Sequence, residues 1–277
     1  MIIFKTKTEL SNYLSSVADS CVGFVPTMGA LHKGHFSLLR EAKKQSTLVV
    51  CSIFVNPTQF NTQKDFNKYP NMLSQDLSFL EKLNCDVVYM PEVADLYGEN
   101  EKRKHYDFDG LENEMEGKFR KGHFDGVATV IEKFFKIIAP QKAFFGQKDL
   151  QQLLIIRSLT RKLNLSIEII DVPTVREKSG LAMSSRNKLL NAKQLEKAAL
   201  LYKALLFCKN KKGSLSMVDM KNEVLASFTK EGITLEYLTF SDSNTLKILP
   251  DFNSDSQTAV CIAAYIAGVR LIDNIIF

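Results

Sequence analysis

Three features of the 277-residue sequence predict a doubly wound α/β domain over residues 1–175 and a smaller α+β domain over residues 176–277. Short apolar runs alternate with helical periodicities as far as Val172, the links between them are short, and the texture turns to Pro, Gly and charged residues around Pro173–Gly180. Strand–helix–strand units with short links build parallel sheets covered on both faces.

The elements follow in order. Leu10, Leu14 and Val17 recur at helical spacing behind Thr8, so residues 8–18 read as a capped helix. Cys21–Pro26 reads as a buried strand, and after a turn at Gly29 residues 34–45 are helical with Leu38, Leu39 and Ala42 on one face. Leu48–Val55 is a continuous run rich in β-branched residues, the pattern of a strand buried on both sides. Ser74 is a candidate cap for a helix reaching Leu83, and Asp86–Met90 is a strand stopped by Pro91. Phe124–Ala139 is a long apolar helix ended by Pro140; a strand at Ala143–Phe145, a helix at Leu150–Leu163 and a strand at Ser166–Val172 complete the domain. Beyond the boundary, helices are expected at Ala192–Cys208 and Met217–Phe228, and strands near Thr234–Phe240 and Gln257–Ala264.

Composition bounds the function. With 45% hydrophobic and 24% charged residues, the chain can fill a sizeable core and is not disordered as a whole. The start has no basic segment leading into a long apolar run, and Ala259–Val269 is too short to span a bilayer, so a soluble, cytoplasmic protein with no membrane partner is expected. Net charge is +5, yet residues 176–277 hold 14 basic and 10 acidic residues against 22 and 21 in residues 1–175. A nucleic-acid binder concentrates its excess where its motifs lie; here the motif-bearing part is nearly neutral, which argues against a nucleic-acid partner. The five cysteines are scattered and never in Cys-x-x-Cys spacing, as small buried hydrophobes in a reducing compartment would be.

The sharpest segment is Val25–His35, which runs from the carboxyl end of the first long strand into the first turn of a helix. Ligands of doubly wound sheets bind there, and a helix start offers unpaired N–H groups and a positive dipole end to phosphate. His32 and His35, three residues apart on the opening turn, share a face from which two imidazoles can donate to phosphoryl oxygens. Neither the Gly-x-Gly-x-x-Gly fingerprint nor a Gly-Lys-Ser/Thr loop is present, and a zinc site would need a convergent third ligand. Phe54–Phe60 and Phe145–Gln152 also follow strands and belong at the same rim, while Met183–Asn187 lies just past the boundary. Lys148 and Arg186 offer cations, Ser184 and Ser185 hydroxyls and N–H groups. Taken singly, Lys148 is equally a solvated lysine, Ser184-Ser185 a helix cap and Gln59 a loop amide.

Together these blocks are recognisable. Pro-Thr-Met-Gly-Ala-Leu-His-x-Gly-His (Pro26–His35), Phe-Val-Asn-Pro-x-Gln-Phe (Phe54–Phe60), Gly-His-Phe-x-Gly-Val (Gly122–Val127), Gly-x-Lys-Asp-x-Gln-Gln (Gly146–Gln152), Ser-Ser-Arg-Asn (Ser184–Asn187) and Arg-Leu-Ile-Asp-Asn (Arg270–Asn274) stand in family order along most of the chain. The sequence resembles the pantoate–β-alanine ligase family of the His-x-Gly-His nucleotidyltransferases.

The resemblance implies a Rossmann-like ATP- and pantoate-binding domain over residues 1–175 and a C-terminal lid over residues 176–277. It implies ATP-dependent condensation of pantoate with β-alanine through a pantoyl adenylate, releasing AMP and pyrophosphate, a step toward coenzyme A. Met28, Gly29, Ala30, Leu31, His32, Lys33, Gly34 and His35 would hold ATP, with His35 in the proton-donor position. Gly146, Gln147, Lys148, Asp149, Val175, Met183, Ser184, Ser185 and Arg186 would also contact ATP; the last group corresponds to the mobile Lys-Met-Ser-Lys-Ser loop of related synthetases in altered form. His32, His35, Lys148 and Arg186 would stabilise charge on ATP, and Gln59 and Gln152 would bind pantoate, Gln59 bordering the β-alanine site. Asp76 lies in the region associated with Mg2+, although Gln75 and Phe79 beside it are not good ligands. Gln147 stands in place of the usual Glu, Lys121 in place of a Pro, and the common Arg after Tyr69-Pro70 is absent. A homodimer formed mainly through the first domain is implied as well.

Overall fold

In the computed structural model, which describes residues 1–98, 101, 103–252 and 257–277, six parallel strands make the first sheet. They are β1 (Ile2–Phe4), β2 (Val22–Thr27), β3 (Leu48–Ile53), β4 (Val87–Tyr89), β5 (Lys142–Gly146) and β6 (Glu168–Val172). Among them run α1 (Lys7–Ser16), α2 (Lys33–Gln45), α3 (Gln63–Lys68), α4 (Leu73–Lys82), α5 (Val93–Leu96), α6 (Met115–Phe119), α7 (His123–Ile138) and α8 (Leu150–Lys162).

Side-chain alternation explains why both faces are covered. Val25, Cys51 and Val88 pack with Leu38, Leu39 and Ala42 of α2 and Leu80 of α4. Phe24 and Tyr89, pointing the other way, meet Phe134 of α7 edge-on at 5.5 and 5.9 Å. The strand order is β1-β4-β3-β2-β5-β6. The chain therefore winds one way from β2 to β4 and the other way from β5 to β6, and its direction reverses between the neighbours β2 and β5. Such a reversal opens a crevice beyond the carboxyl ends of the strands, where ligands bind.

The chain divides into two compact units, Met1–Gln147 with Ile155–Pro173, and Lys148–Leu154 with Thr174–Phe277. The second unit carries α9 (Ala192–Ala198), α10 (Leu200–Asn210), α11 (Met217–Lys230) and an antiparallel sheet of β7 (Thr234–Asp242), β8 (Thr258–Ile266) and β9 (Val269–Ile276) in that order. Leu201, Leu205 and Cys208 of α10 and Met220, Val224 and Phe228 of α11 form one core with Leu238, Phe240, Val260 and Ile262 of the strands.

Several elements differ from expectation. The cap of α1 is Thr6, which accepts the Glu9 N–H, rather than Thr8. Met72 rather than Ser74 precedes α4, with no side-chain cap. The expected helix over 192–208 is two helices joined at Ala199, whose φ −63° and ψ −16° keep the path helical. β1 and β9 were not anticipated.

One buried carboxylate ties the segment after residue 102 to α7. Glu132, 5% exposed at its side chain, accepts from Lys104 Nζ at 2.9 and 3.0 Å, Tyr106 Oη at 2.5 Å and Lys136 Nζ at 2.5 Å. Burial pushes the carboxyl up, but Lys136, Tyr106 and Lys104 together outweigh it and hold Glu132 at about 2. An unfolded Glu titrates near about 4.3. The folded value is the lower one, so this stabilisation is present above about pH 4.3 and is lost as pH falls toward 2. Both lysines are more than half exposed, so screening reduces the worth to about 1–2 kcal/mol. The urea midpoint of the protein is expected to fall more steeply between pH 5 and 3 than that of Glu132→Gln; parallel curves would show that Glu132 carries no such linkage.

Candidate active site

The loop leaving β2 is built by hydrogen bonds to its own main chain. Thr27 Oγ1 donates to Ser52 O at 2.7 Å and accepts the Gly29 N–H at 3.2 Å. Gly29 (φ +78°) and Ala30 (φ +51°) then turn the chain through the left-handed region. A side chain at Gly29 would be disfavoured there, and its Cβ would stand 3.0 Å from Asp76 Oδ2. Asp76, 1% exposed, accepts the Ala30 N–H on Oδ2 and the Leu31 N–H on Oδ1, both at 2.7 Å.

This geometry gives Asp76 a structural task beside the metal role expected of it. Both carboxylate oxygens are held by backbone donors in the interior, which is the arrangement of a loop anchor. No group of three or more His, Cys, Asp or Glu side chains among the described residues is placed to hold an ion. A single carboxylate whose two oxygens each accept a backbone N–H does not by itself make a resident Mg2+ site.

His32 ends the loop as the cap of α2. Its Nδ1 accepts the Gly34 N–H at 3.1 Å, and His35 Nδ1 accepts the His32 N–H at 3.3 Å. This is a capping box made of two imidazoles, with ring centroids 4.1 Å apart. Because each Nδ1 is an acceptor, the proton of each neutral ring is assigned to Nε2. The caps thus turn both histidines into Nε2–H donors at the positive end of a 13-residue helix. Lys33 and Gly34 form the first turn between them.

Gln59 closes a short turn after β3, at Pro57–Gln59. Its Nε2 reaches Met28 Sδ at 2.9 Å, which brings together two residues expected at the site. Its orientation is set by a chain of bonds: Tyr97 Oη donates to Asn56 Oδ1 at 2.8 Å, and Asn56 Nδ2 donates to Gln59 Oε1 and to Gly126 O, both at 3.1 Å. Burial pushes the Tyr97 phenol up, so it remains a donor. With Oε1 engaged, the Gln59 amide presents its NH2 end. His123, 6% exposed, bonds Gln59 O through Nδ1 at 2.8 Å, and Arg120 donates to its Nε2 at 3.1 Å. α7 approaches this turn so closely that a Cβ at Gly126 would lie 2.5 Å from Thr58 O and 2.7 Å from Gln59 Cα.

At the end of β5, Gly146 leads to Gln147, whose Nε2 donates to Asp171 at 2.6 Å. Its side chain is thus committed within the first unit. Burial pushes the Asp171 carboxyl up, but Gln147 and Arg157 outweigh it and hold the group below its ordinary value.

The second unit contains the remaining expected residues. Lys148, with its side chain 18% exposed, has Nζ 3.6 Å from Asp149 Oδ1. Gln152 lies half-buried on α8. Val175 O accepts the Met183 N–H at 2.9 Å. Ser184 caps the turn Ser185–Leu189, its Oγ accepting the Arg186 N–H at 3.3 Å, while Ser185 is buried. Sequence reasoning gave no role to Asn56, Tyr97 and His123, which hold Gln59 and its turn in place; the motif blocks Phe54–Phe60 and Gly122–Val127 were the signal for Asn56 and His123.

A family model described as pantoate-beta-alanine ligase matches residues 2–276. The pantothenate synthetase of Cytophaga hutchinsonii is 48% identical, covering 92% of this chain and 91% of the relative. That of Christiangramia forsetii is 45% identical over 99% of each. Among solved structures, pantothenate synthetase from Thermus thermophilus is similar with a TM-score of 0.91 and 38% identity, covering 99% of both chains. A pantoate-beta-alanine ligase from Francisella tularensis complexed with beta-gamma ATP and beta-alanine has a TM-score of 0.84 and 36% identity, covering 99% of this chain and 97% of that one.

Proposed function

The chain belongs to the pantoate–β-alanine ligase family, and from that premise we propose how its residues divide the work of joining pantoate to β-alanine at the expense of ATP. The observation that carries the reading is the family match over residues 2–276, which embraces every motif described above.

A carboxylate is a poor electrophile, so activation comes first. A pantoate carboxylate oxygen attacks the α-phosphorus of ATP, the bond to the bridging oxygen breaks, and pyrophosphate leaves with pantoyl adenylate behind. The amine of β-alanine then attacks the activated carbonyl, AMP leaves with the bonding pair, and the amine loses a proton. Charge grows on phosphoryl oxygens in the first step. His32 and His35 meet it with Nε2–H donors fixed in advance, and Lys148 and Arg186 supply cations. Met28–Gly34, Gly146, Gln147, Asp149, Val175 and Met183–Ser185 are assigned to contacts with ATP. Gln59, presenting its NH2 end, donates to a pantoate oxygen, and Gln152 serves the same substrate.

ATP is taken as its Mg2+ complex, a substrate rather than a resident metal. The enzyme is placed in the cytoplasm, consistent with free thiols at Cys51, Cys85, Cys208 and Cys261 buried in apolar surroundings, and as a homodimer, which sedimentation velocity tests.

The central test incubates the protein with Mg·ATP and pantoate, with and without β-alanine. Pyrophosphate release is expected to require pantoate, and AMP release to rise when β-alanine is added. ATP turnover indifferent to pantoate would overturn the reading.

A further inference from the structure

Arg270–Asn274 is a motif whose purpose neither the fold nor the reaction has accounted for. Arg270 serves the sheet itself, donating through Nε to Glu236 of β7 at 2.9 Å. Asp273 and Asn274 face a different task. We propose that these two residues of β9 are positioning residues for ATP, holding the main chain at Lys148 and the segment from Val175 to Arg186 where those groups meet the nucleotide. The proposal rests on the assignment of Lys148 and Ser184–Arg186 to ATP.

Two segments distant in sequence are tied to this one dipeptide. Asn274 Nδ2 donates to Lys148 O at 2.8 Å across 126 residues, which fixes the peptide unit two residues ahead of α8. Asp273, 3% exposed, receives Arg176 in two-pronged fashion, Nη1 to Oδ2 at 2.6 Å and Nη2 to Oδ1 at 3.0 Å. It also accepts the Asn274 backbone N–H at 2.8 Å, which ties the Asp273 side chain to its own strand. Arg176 donates further to Asn274 O and Gly180 O, both at 3.1 Å, and its guanidinium lies 3.8 Å over the Tyr202 ring. Arg176 directly follows Val175 and pairs with Ala182 across an antiparallel bridge, next to the Met183-to-Val175 bond. Fixing Arg176 therefore fixes the narrow loop from which Met183–Arg186 emerge.

The chemistry chosen suits orientation better than stability. A buried carboxylate–guanidinium pair loses much of its attraction to desolvation, and apolar side chains of similar volume would hold a sheet as well. What the pair adds is the fixed plane of a two-pronged contact. Burial pushes the Asp273 carboxyl up above its ordinary value, although Arg176 and more weakly Lys148 pull it down. The tie lies within the second unit, which holds both Lys148–Leu154 and Thr174–Phe277.

Asn274→Ala tests the clamp. ATP affinity by calorimetry and the KM for ATP are each expected to weaken about tenfold, with the KM for pantoate unchanged and a single thermal transition retained. In a Lys148→Ala background, Asn274→Ala should add less than about twofold, because both act through the same group. A full additional tenfold loss would mark a merely structural role, and unaltered ATP binding in Asn274→Ala with Lys148→Ala impaired would overturn the clamp outright. Normal ATP binding and turnover in Lys148→Ala would instead remove the assignment beneath it. Should alanine prevent folding, Asn274→Leu keeps the volume and the main-chain contacts to Arg176 while deleting the donor, and the same comparisons apply.

Discussion

Replacing His35 by alanine is expected to slow pantoate-dependent pyrophosphate release about a hundredfold, the usual cost of losing one preorganised donor at a developing oxyanion, about 3 kcal/mol. The histidine also caps: its Nδ1 accepts the His32 N–H. Loss of that bond costs stability of about 1 kcal/mol, as helix caps do. The two effects can be separated with His35→Gln. Glutamine at the third helical position is the ordinary partner of a capping box, so this variant should regain the thermal midpoint of the unmodified protein. Its amide offers a donor of different reach, and the rate should recover only in part. Near-normal pyrophosphate release in His35→Ala would remove the residue from the chemistry, whatever happens to stability.

Why the histidine pair was legible and its geometry was not comes down to range. Strand, turn and helix over Cys21–Gln45 follow from local periodicity, and the structure places β2 and α2 within a residue of expectation. The cap was hidden because an imidazole is not among the residues one scans for at a helix start. β1 has three residues, too few for any period to show. β9 was obscured by Arg270 and Asp273, although the Ala267-Gly268 pair, with φ of +49° and +79°, is a two-residue hairpin signal between Ile266 and Val269. The contacts that shape the site lie 31 residues apart for Gln59 and Met28, 64 for His123 and Gln59, and 126 for Asn274 and Lys148. No local pattern encodes such pairs. The motif blocks marked where they would fall without saying what each side chain touches.

Asp76 is the residue whose partners were hardest to read from the sequence, and its replacement should have the other large effect. Its place in the region that the resemblance associates with Mg2+ suggested a metal, with Gln75 and Phe79 speaking against it; in the structure it accepts the Ala30 and Leu31 N–H groups, 46 and 45 residues away. Asp76→Ala takes a charged acceptor from two donors whose residues are almost wholly buried, a change costing about 3–5 kcal/mol. It also releases Ala30 from a left-handed conformation (φ +51°) that alanine adopts only at a cost of about 1–2 kcal/mol. The loop between β2 and α2 then has reason to relax, carrying His32 away from the helix start. Thermal stability should fall by about 10 °C, and pyrophosphate release at a temperature where the variant remains folded should fall at least about a hundredfold. The dependence on Mg2+ separates this account from a metal-ligand role. The Mg2+ concentration giving half-maximal rate is expected to stay where it is, because the ion travels with ATP and the carboxylate is spent on the loop. A rise of about tenfold in that requirement, with stability intact, would return Asp76 to the metal.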